Sequence, residues 1–433
     1  MNAKPTVNII TLGCAKNLVD SEYLSMQLAH NGYMVHHENS SPCDVTIINT
    51  CGFINDAKQE SIETILEYVQ TKEQGDTSKV YVMGCLSQRY RVDLAREMPE
   101  VDGFFGVYDH HGILSALNGK YREEAGYQRQ LATPGHYAYL KVAEGCNRRC
   151  AFCSIPLIKG NYHSRPVAEL EKEAQYLAGT GVKEINLIAQ DLSYYGFDLN
   201  HKPMLPELLE SLDGLGVFSW IRMLYAYPAG FPTEVLERMK ISPSICNYLD
   251  IPVQHISDRM LKKMRRGHSR KQTYQILNLI RKKLPDVTLR TTLLTGHPGE
   301  GDKEFSELLE FVREAQFDRL GVFTYSEEEG THSARTEKDD IPEKVKQERA
   351  TEIMLLQQEI SYRKNRQKVG KNLKVIIDHA DDDYFYGRSE ADAPEVDNGV
   401  LISRTDHPGL QIGEFYEATI TEATDFDLYG TVG

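Results

Sequence analysis

The chain has 433 residues, 41% of them hydrophobic and 26% charged, and a formal net charge of −14. That length calls for two or three domains with substantial cores, and the acidic balance weighs against a protein whose main task is to hold nucleic acid. No run approaches the roughly 20 apolar residues that span a bilayer and nothing near Met1 reads as a signal peptide, so a cytoplasmic protein with no membrane partner is expected, its cysteines reduced and available for metal or chemistry.

Residues 5–121 form the first expected domain, where short apolar strands alternate with amphipathic stretches in the manner of a parallel α/β sheet. Val7–Leu12 runs into Gly13 and Cys14, Val45–Asn49 into Thr50, Cys51 and Gly52, and Val80–Met83 into Gly84 and Cys85. Helical patterns occupy Ser21–Asn31 and Ala57–Gln70 between them. Ligands of open parallel sheets lie beyond the carboxyl ends of the strands. One cysteine there reads as a small buried hydrophobe, as Cys43 and Cys246 do. The same position repeated on three strands points instead to three thiolates converging on one site.

After a polar stretch at Gly119–Gly135, a second domain, residues 132–363, repeats strand and helix six times. Its expected strands are Ala138–Ala143, Glu184–Ala189, Trp220–Ala226, Tyr248–Val253, Thr288–Leu294 and Arg319–Thr324, with helices such as Val167–Gly179, Pro206–Leu212, Thr233–Met239, Lys271–Lys283 and Asp302–Ala315. Six such units suggest a partial (β/α)6 barrel, open on one side, with its active face at the carboxyl ends of the strands. The first strand leads into Cys146-x-x-x-Cys150-x-x-Cys153. Three thiolates on one short loop with no fourth nearby would hold a cubane iron–sulfur cluster with one iron open. A structural zinc site needs a closed tetrahedron, and here only His163 follows, with no second cysteine pair.

Polar residues occupy the same place after the other strands: Gln190 and Asp191, Tyr225 and Tyr227, Gln254 and His255, His297, Tyr325 and Ser326. Together they make a mouth able to hold a nucleotide and a substrate. Thr295-Gly296-His297-Pro298-Gly299-Glu300 is a glycine-rich exit that allows close backbone approach. His255 and His297 lack neighbours at ligand spacing and read as hydrogen-bonding residues. The basic run Lys262, Lys263, Arg265, Arg266, Arg270 and Lys271 reads as a solvated helix and turn.

Glu343–Gln367 has a strongly helical pattern and leads to the third expected domain, residues 366–433, whose short strands and turns fit a small antiparallel β-barrel of about five strands. This tail carries 6 Lys and Arg against 14 Asp and Glu, a net charge of −8. It would repel RNA and attract a basic macromolecule.

The run from Glu144 to Pro156, with Phe152 just before the third cysteine, resembles the radical S-adenosylmethionine superfamily. The three parts together resemble its methylthiotransferases, which combine an N-terminal cluster domain, a radical core and a C-terminal TRAM barrel. Thr11–Glu22, with Ala15-Lys16-Asn17 where the transfer-RNA branch has Gln-Met-Asn, is similar to the branch acting on an aspartate of ribosomal protein S-twelve. So is Tyr248–His255, and so are Ile155-Pro156, Lys159-Gly160 and Ser164-Arg165-Pro166. His297 departs from the apolar aromatic of many relatives. The resemblance implies two 4Fe-4S clusters, one on catalytic Cys146, Cys150 and Cys153 and one on Cys14, Cys51 and Cys85. It implies S-adenosyl-L-methionine held near Phe152, Gln190, Asp191, Gln254, Gly296 and Gly299, cleaved to a radical that takes hydrogen from the aspartate β-carbon. The second cluster would then deliver a methylated sulfur. The implied partners are ribosomal protein S-twelve or the small ribosomal subunit and a low-potential electron donor such as flavodoxin or ferredoxin, with no direct transfer-RNA binding. The alternative is a methylthiotransferase acting on an adenosine of transfer RNA.

Overall fold

Strand β1 (Thr6–Thr11) leads into helix α1 (Ala15–His30), followed by β2 (Met34–His37), β3 (Cys43–Thr50), α2 (Asn55–Gln74), β4 (Thr77–Gly84), α3 (Cys85–Glu97), β5 (Gly103–Phe104) and α4 (His110–Ala116). The computed structural model describes residues 4–433. The five strands form one parallel sheet in the order β2-β1-β3-β4-β5. Its central strands are near-continuous apolar runs, as strands covered on both faces require, and Val7, Ile9, Ile47, Ile48, Val80 and Val82 are buried. The edge strands β2 and β5 escape the sequence reading because they are short.

The second domain contains β6 (Tyr137–Lys141), β7 (Ala143–Glu144), α5 (Ile155–Lys159), β8 (His163–Ser164), α6 (Val167–Gly179), β9 (Glu184–Ile188), α7 (Phe197–Asn200), α8 (Leu205–Gly214), β10 (Trp220–Met223), α9 (Val235–Ile241), β11 (Ile245–Asp250), α10 (Asp258–Lys263), α11 (Arg270–Lys283), β12 (Thr288–Thr295), α12 (Asp302–Ala315), β13 (Arg319–Thr324) and α13 (His332–Thr336). Six strands make an open parallel sheet in the order β6-β9-β10-β11-β12-β13, and β7 and β8 form a separate antiparallel pair. One face of each strand packs on the helices, through Leu140, Leu187, Met223, Leu249 and Leu289. The alternate residues point into the lumen.

Helix α14 (Glu343–Arg366) runs along β13 to the third domain, where β14 (Asn372–Ala380), β15 (Tyr384–Ser389), β16 (Val400–Ser403), β17 (Phe415–Ala423) and β18 (Leu428–Val432) close a barrel in the order β14-β15-β16-β18-β17. It is antiparallel except for β16 beside β18. Its segment Glu390–Asp397 enters the larger sheet from the end where the strands begin. Arg388 and Arg222 both donate to buried Glu184, at 2.7 and 2.9 Å, Arg319 Nε reaches Asp392 at 3.1 Å, and Arg290 bridges Asp250 and Asp397 at 3.2 and 3.3 Å. Tyr137 and Tyr248 donate to Glu395 and Asp397. The tail's acidic excess is therefore partly spent inside the molecule, while Asp381, Asp382, Asp383, Glu417 and Glu422 remain exposed.

The stretch between the first two domains is polar in composition, yet Arg129 within it is among the largest fully buried side chains. Its guanidinium meets Glu22 of α1 at 2.8 Å and Glu173 of α6 at 2.9 Å, and donates to the Tyr139 carbonyl at 2.7 Å. Glu173 also accepts from Arg165 at 2.6 Å and from the Tyr23 hydroxyl. Burial alone would raise the Glu173 carboxyl, but Arg165 and Arg129 hold it below the usual range. Removing one member strands buried charge. Arg129→Met is expected to lower stability by about 3–5 kcal/mol, seen as a fall in the urea midpoint for unfolding monitored by circular dichroism.

Candidate functional site

Three strand ends meet beyond the first sheet. Cys14 is the exposed N-cap of α1, Cys51 follows β3, and Cys85 opens α3 and is buried. The amide of Asn17 ties them together: Nδ2 donates to the Leu12 and Thr50 carbonyls at 3.0 and 3.1 Å, and the Cys85 thiol reaches Oδ1 at 3.7 Å. Asn49 in turn donates to the Asn17 carbonyl at 2.8 Å. Close approach requires glycine beside the cysteines. At Gly13, with φ +92°, a Cβ would stand 2.7 Å from the Cys51 Cβ, and at Gly84 one would stand 2.7 Å from the Thr50 nitrogen.

The second triad lies on the loop between β7 and α5. Cys146 donates its backbone N–H to the Gly160 carbonyl at 3.1 Å, Cys153 its own to Cys150 at 3.2 Å, and Ala151 its own to Met264 at 2.9 Å. Arg266 gives Nη1–H to the Cys150 sulfur at 3.1 Å and Nη2–H to the Pro252 carbonyl at 2.6 Å. The Tyr227 ring lies between the guanidinium groups of Arg148 and Arg266, at 4.2 and 4.3 Å, with its hydroxyl 3.8 Å from the Cys150 sulfur. Arg266 is thus buried at the site, where the basic run was expected to be solvated. Nothing in the run distinguishes it from its exposed neighbours Lys262 and Arg265.

Two ties join the triads. Helix α5 begins two residues after Cys153 and rises about 7.5 Å over its five residues, and its Ile158 packs on Cys85 and Val107. The exit of β10 touches both sides: Lys16, two residues past Cys14, places its ammonium 3.6 Å from the centre of the Tyr225 ring, and Tyr227 meets Cys150. On the outer side, buried Glu328 after β13 pairs with Lys58 of α2 at 3.1 Å and Arg89 of α3 at 2.6 Å.

Around the second triad, Phe152 packs on Met260, Met264, Leu294 and Tyr325, edge-on to His297. Gln190 lies half-buried beside Glu144, its Oε1 without a partner. The Asp191 carboxylate is taken by Arg148 at 2.7 Å and Ser193 at 2.5 Å, so it braces the cysteine loop. Gln254 has φ +73° and bridges to β12 through the Thr292 and Leu294 backbone. The space beside Gly296 is filled by the Lys346 stem, and that beside Gly299 by Lys263, so this chain's own lysines use the approach that the glycines allow. His255 accepts two backbone N–H bonds and meets Glu300 at 3.2 Å, an acidic neighbour the sequence does not place beside it; His297 meets Ser333 at 2.9 Å. Burial lowers the His297 imidazole to about 4, leaving it neutral at pH 7. Cys246 is buried as expected, whereas Cys43 is half-buried and hydrogen-bonded to Val45 and two threonines.

Among the described residues no three His, Cys, Asp or Glu side chains converge tightly enough for a single metal ion, and all eight cysteines are free. The donor chemistry of each triad, three free cysteines without a fourth, suits a multi-iron cluster with one open iron. Burial pushes the Cys85 thiol up to about 12, with Lys159 opposing, and likewise Cys146 to about 12; Cys153 is also raised by burial. A raised thiol pKa means little thiolate near neutrality and more as pH climbs. In metal-free protein, iodoacetamide at pH 8 is expected to modify exposed Cys14 first, while Cys85 and Cys146 react more slowly and gain rate as the pH rises. Mass spectrometry of the labelled peptides reads the order.

Family models match three segments: an uncharacterized protein family, UPF0004, at residues 6–106, the radical SAM superfamily at 140–312, and the TRAM domain at 369–432. Curated relatives described as ribosomal protein uS12 methylthiotransferase RimO align along nearly the whole chain. The Bacteroides fragilis protein is 50% identical, covering 99% of each chain; that of Christiangramia forsetii is 52% identical over 99% of this chain and 94% of its own. The cobalamin- and cluster-bound radical methyltransferase TsrM of Kitasatospora setae shares the fold, with a TM-score of 0.54 at 13% identity over 77% of each chain. The cobalamin-dependent radical enzyme OxsB superposes at 0.52 with 14% identity, covering 80% of this chain and 56% of its own. With half its residues shared from end to end, this chain belongs to the family of ribosomal protein uS12 methylthiotransferases.

Proposed function

We propose that the protein inserts a methylthio group at the β-carbon of an aspartate in ribosomal protein uS12, using S-adenosyl-L-methionine and two 4Fe-4S clusters. The supporting observation is the double tie between the cysteine triads, through α5 and the β10 exit, which sets two donor sites on one gap. Cys146, Cys150 and Cys153 would hold the cluster that supplies the electron for nucleotide cleavage, and Cys14, Cys51 and Cys85 the cluster that supplies sulfur, chemistry beyond any side chain. Functional units at residues 5–121, 132–363 and 366–433 accompany this reading.

The chain's own residues prepare the site. Arg266 offsets thiolate charge at Cys150 with a charge-assisted hydrogen bond. Arg148, held by Asp191, and Tyr227 brace the loop against movement. Phe152, Met260 and Leu294 supply an apolar wall that excludes water from the open position. Neutral His297, bonded to Ser333, keeps an uncharged edge beside Phe152. Gln190 and Gln254 remain the proposed nucleotide contacts, with Asp191 acting through Arg148, while Lys346 and Lys263 occupy the approach at Gly296 and Gly299. Glu328 fixes the distance between the two halves through Lys58 and Arg89. The exposed carboxylates Asp381–Asp383, Glu417 and Glu422 suit a basic protein rather than transfer RNA. A cytoplasmic setting and a low-potential donor such as flavodoxin or ferredoxin complete the proposal; no described helix is long and apolar enough to cross a membrane.

Anaerobically reconstituted protein, reduced with dithionite and given S-adenosyl-L-methionine, is expected to add a methylthio group to a uS12 peptide carrying the aspartate and nothing to transfer RNA. Changing Cys14, Cys51 or Cys85 to Ala is expected to abolish the adduct while 5′-deoxyadenosine still forms. Changing Cys146, Cys150 or Cys153 to Ala is expected to abolish both. Modified transfer RNA with unmodified peptide would refute the assignment.

A further inference from the structure

Ten Lys and Arg side chains are buried among the described residues. Eight hold a carboxylate within 4 Å: Arg129, Lys141, Lys159, Arg222, Arg319, Lys346, Arg349 and Arg388. The ninth, Arg266, gives its N–H to the Cys150 sulfur. Lys16 is the tenth, 9% exposed, and has neither an ion pair nor a hydrogen-bond acceptor; its ammonium rests only on the face of Tyr225. An aromatic face compensates a largely buried cation only in part, and the ammonium keeps an open side on which an anion can join it.

The position of Lys16 narrows which anion that is. Its helix starts at Cys14, so the ammonium lies on the side of the gap where sulfur would be delivered. Its support, Tyr225, lies at the exit of β10, and Tyr227, two residues on, meets Cys150. Nearby carboxylates are already engaged: Asp20 with Lys141 and Lys159, and Asp250 with Arg290 and the Tyr225 backbone N–H. Among the described residues no carboxylate pairs with Lys16, and these two neighbours are engaged elsewhere.

We propose that Lys16, standing on Tyr225, is the carboxylate-binding residue for the acidic side chain of the substrate. It would hold the aspartate so that its β-carbon faces the gap between the triads, and would reject neutral side chains. This assignment rests on the proposed function above. The short distance from charge to reacting carbon makes Lys16 a specificity-determining residue, since a neutral amide at the same place leaves the ammonium unpaired.

The test uses reconstituted holoenzyme and two uS12 peptides that differ only by Asp or Asn at the target. Wild type is expected to bind the Asp peptide about ten-fold more tightly or better, the range for a charge-assisted hydrogen bond. Lys16→Met is expected to bring the two affinities within about two-fold with iron content per chain preserved, and Lys16→Arg to restore the preference. A Lys16→Met protein that keeps the preference overturns the assignment. So does one that loses iron, which would make Lys16 a partner of the Cys14 triad, or one whose only loss is affinity for S-adenosyl-L-methionine. If wild type methylthiolates the Asp peptide and Lys16→Met still discriminates, only the Lys16 assignment falls. If wild type neither modifies nor distinguishes the peptides, the functional reading falls with it.

Discussion

Helix α1 is charged yet almost wholly buried, and its buried acids are matched across the boundary between two sheets. Asp20 faces Lys141 and Lys159, Glu22 faces Arg129, and Tyr23 joins Glu173 and Arg165. Val19, one residue before Asp20, packs in the lumen of the open sheet with Tyr139, Ile188 and Leu224, while Leu24 and Leu28 pack on the helix's own sheet. Such ion pairs contribute little net stability over apolar substitutes, but each partner becomes costly once the other is absent. Their effect is registry: α1 has one position in which its buried carboxylates Asp20 and Glu22 are both paired. Because Cys14 is its N-cap, that position also fixes one triad against the other.

The other contacts across the gap follow from this constraint. With α1 in place, Ile158 of α5 meets Cys85, and Lys159 adds positive charge beside that thiol. Glu328 closes the far side by pairing with Lys58 and Arg89, whose guanidinium also donates to the Glu329 carbonyl. Three separate segments thus hold the two cysteine sets at one spacing. A site in which carbon must meet sulfur before it meets solvent needs that rigidity, because misplacement of reacting groups by about 1 Å costs about 100-fold in rate.

Strand ends were legible in the sequence because buried parallel strands write long apolar runs and glycine marks their exits. Cys14, Cys51 and Cys85 could be grouped on that basis alone, as could the open six-stranded sheet and the small closing barrel. Pairing of charge was not legible. Arg266 looks like Lys262 and Arg265, and Arg129 sits in a polar stretch, because burial depends on what folds over a residue and not on its neighbours in sequence. Asp191 and Gly296 show the same limit: a strand-end position marks nearness to the mouth but does not say whether Arg148 or Lys346 has already taken the space.

The tail illustrates how charge counts mislead until partners are known. Its net −8 suggests a uniformly acidic module, yet Asp378 is held by the tail's own Arg388, and Asp392 and Asp397 are directed at Arg319 and Arg290 of the larger sheet. Those pairs seat the segment Glu390–Asp397 in the lumen at the beginning of the strands, opposite the cysteine loops. The barrel is thereby filled from below, on the side opposite the two cysteine triads. The remaining outward acids, grouped at the β14–β15 turn and along β17, have no such arginine opposite and stay exposed. One small domain so divides residues of a single sign into two sets, distinguished by whether an arginine of the neighbouring sheet stands opposite.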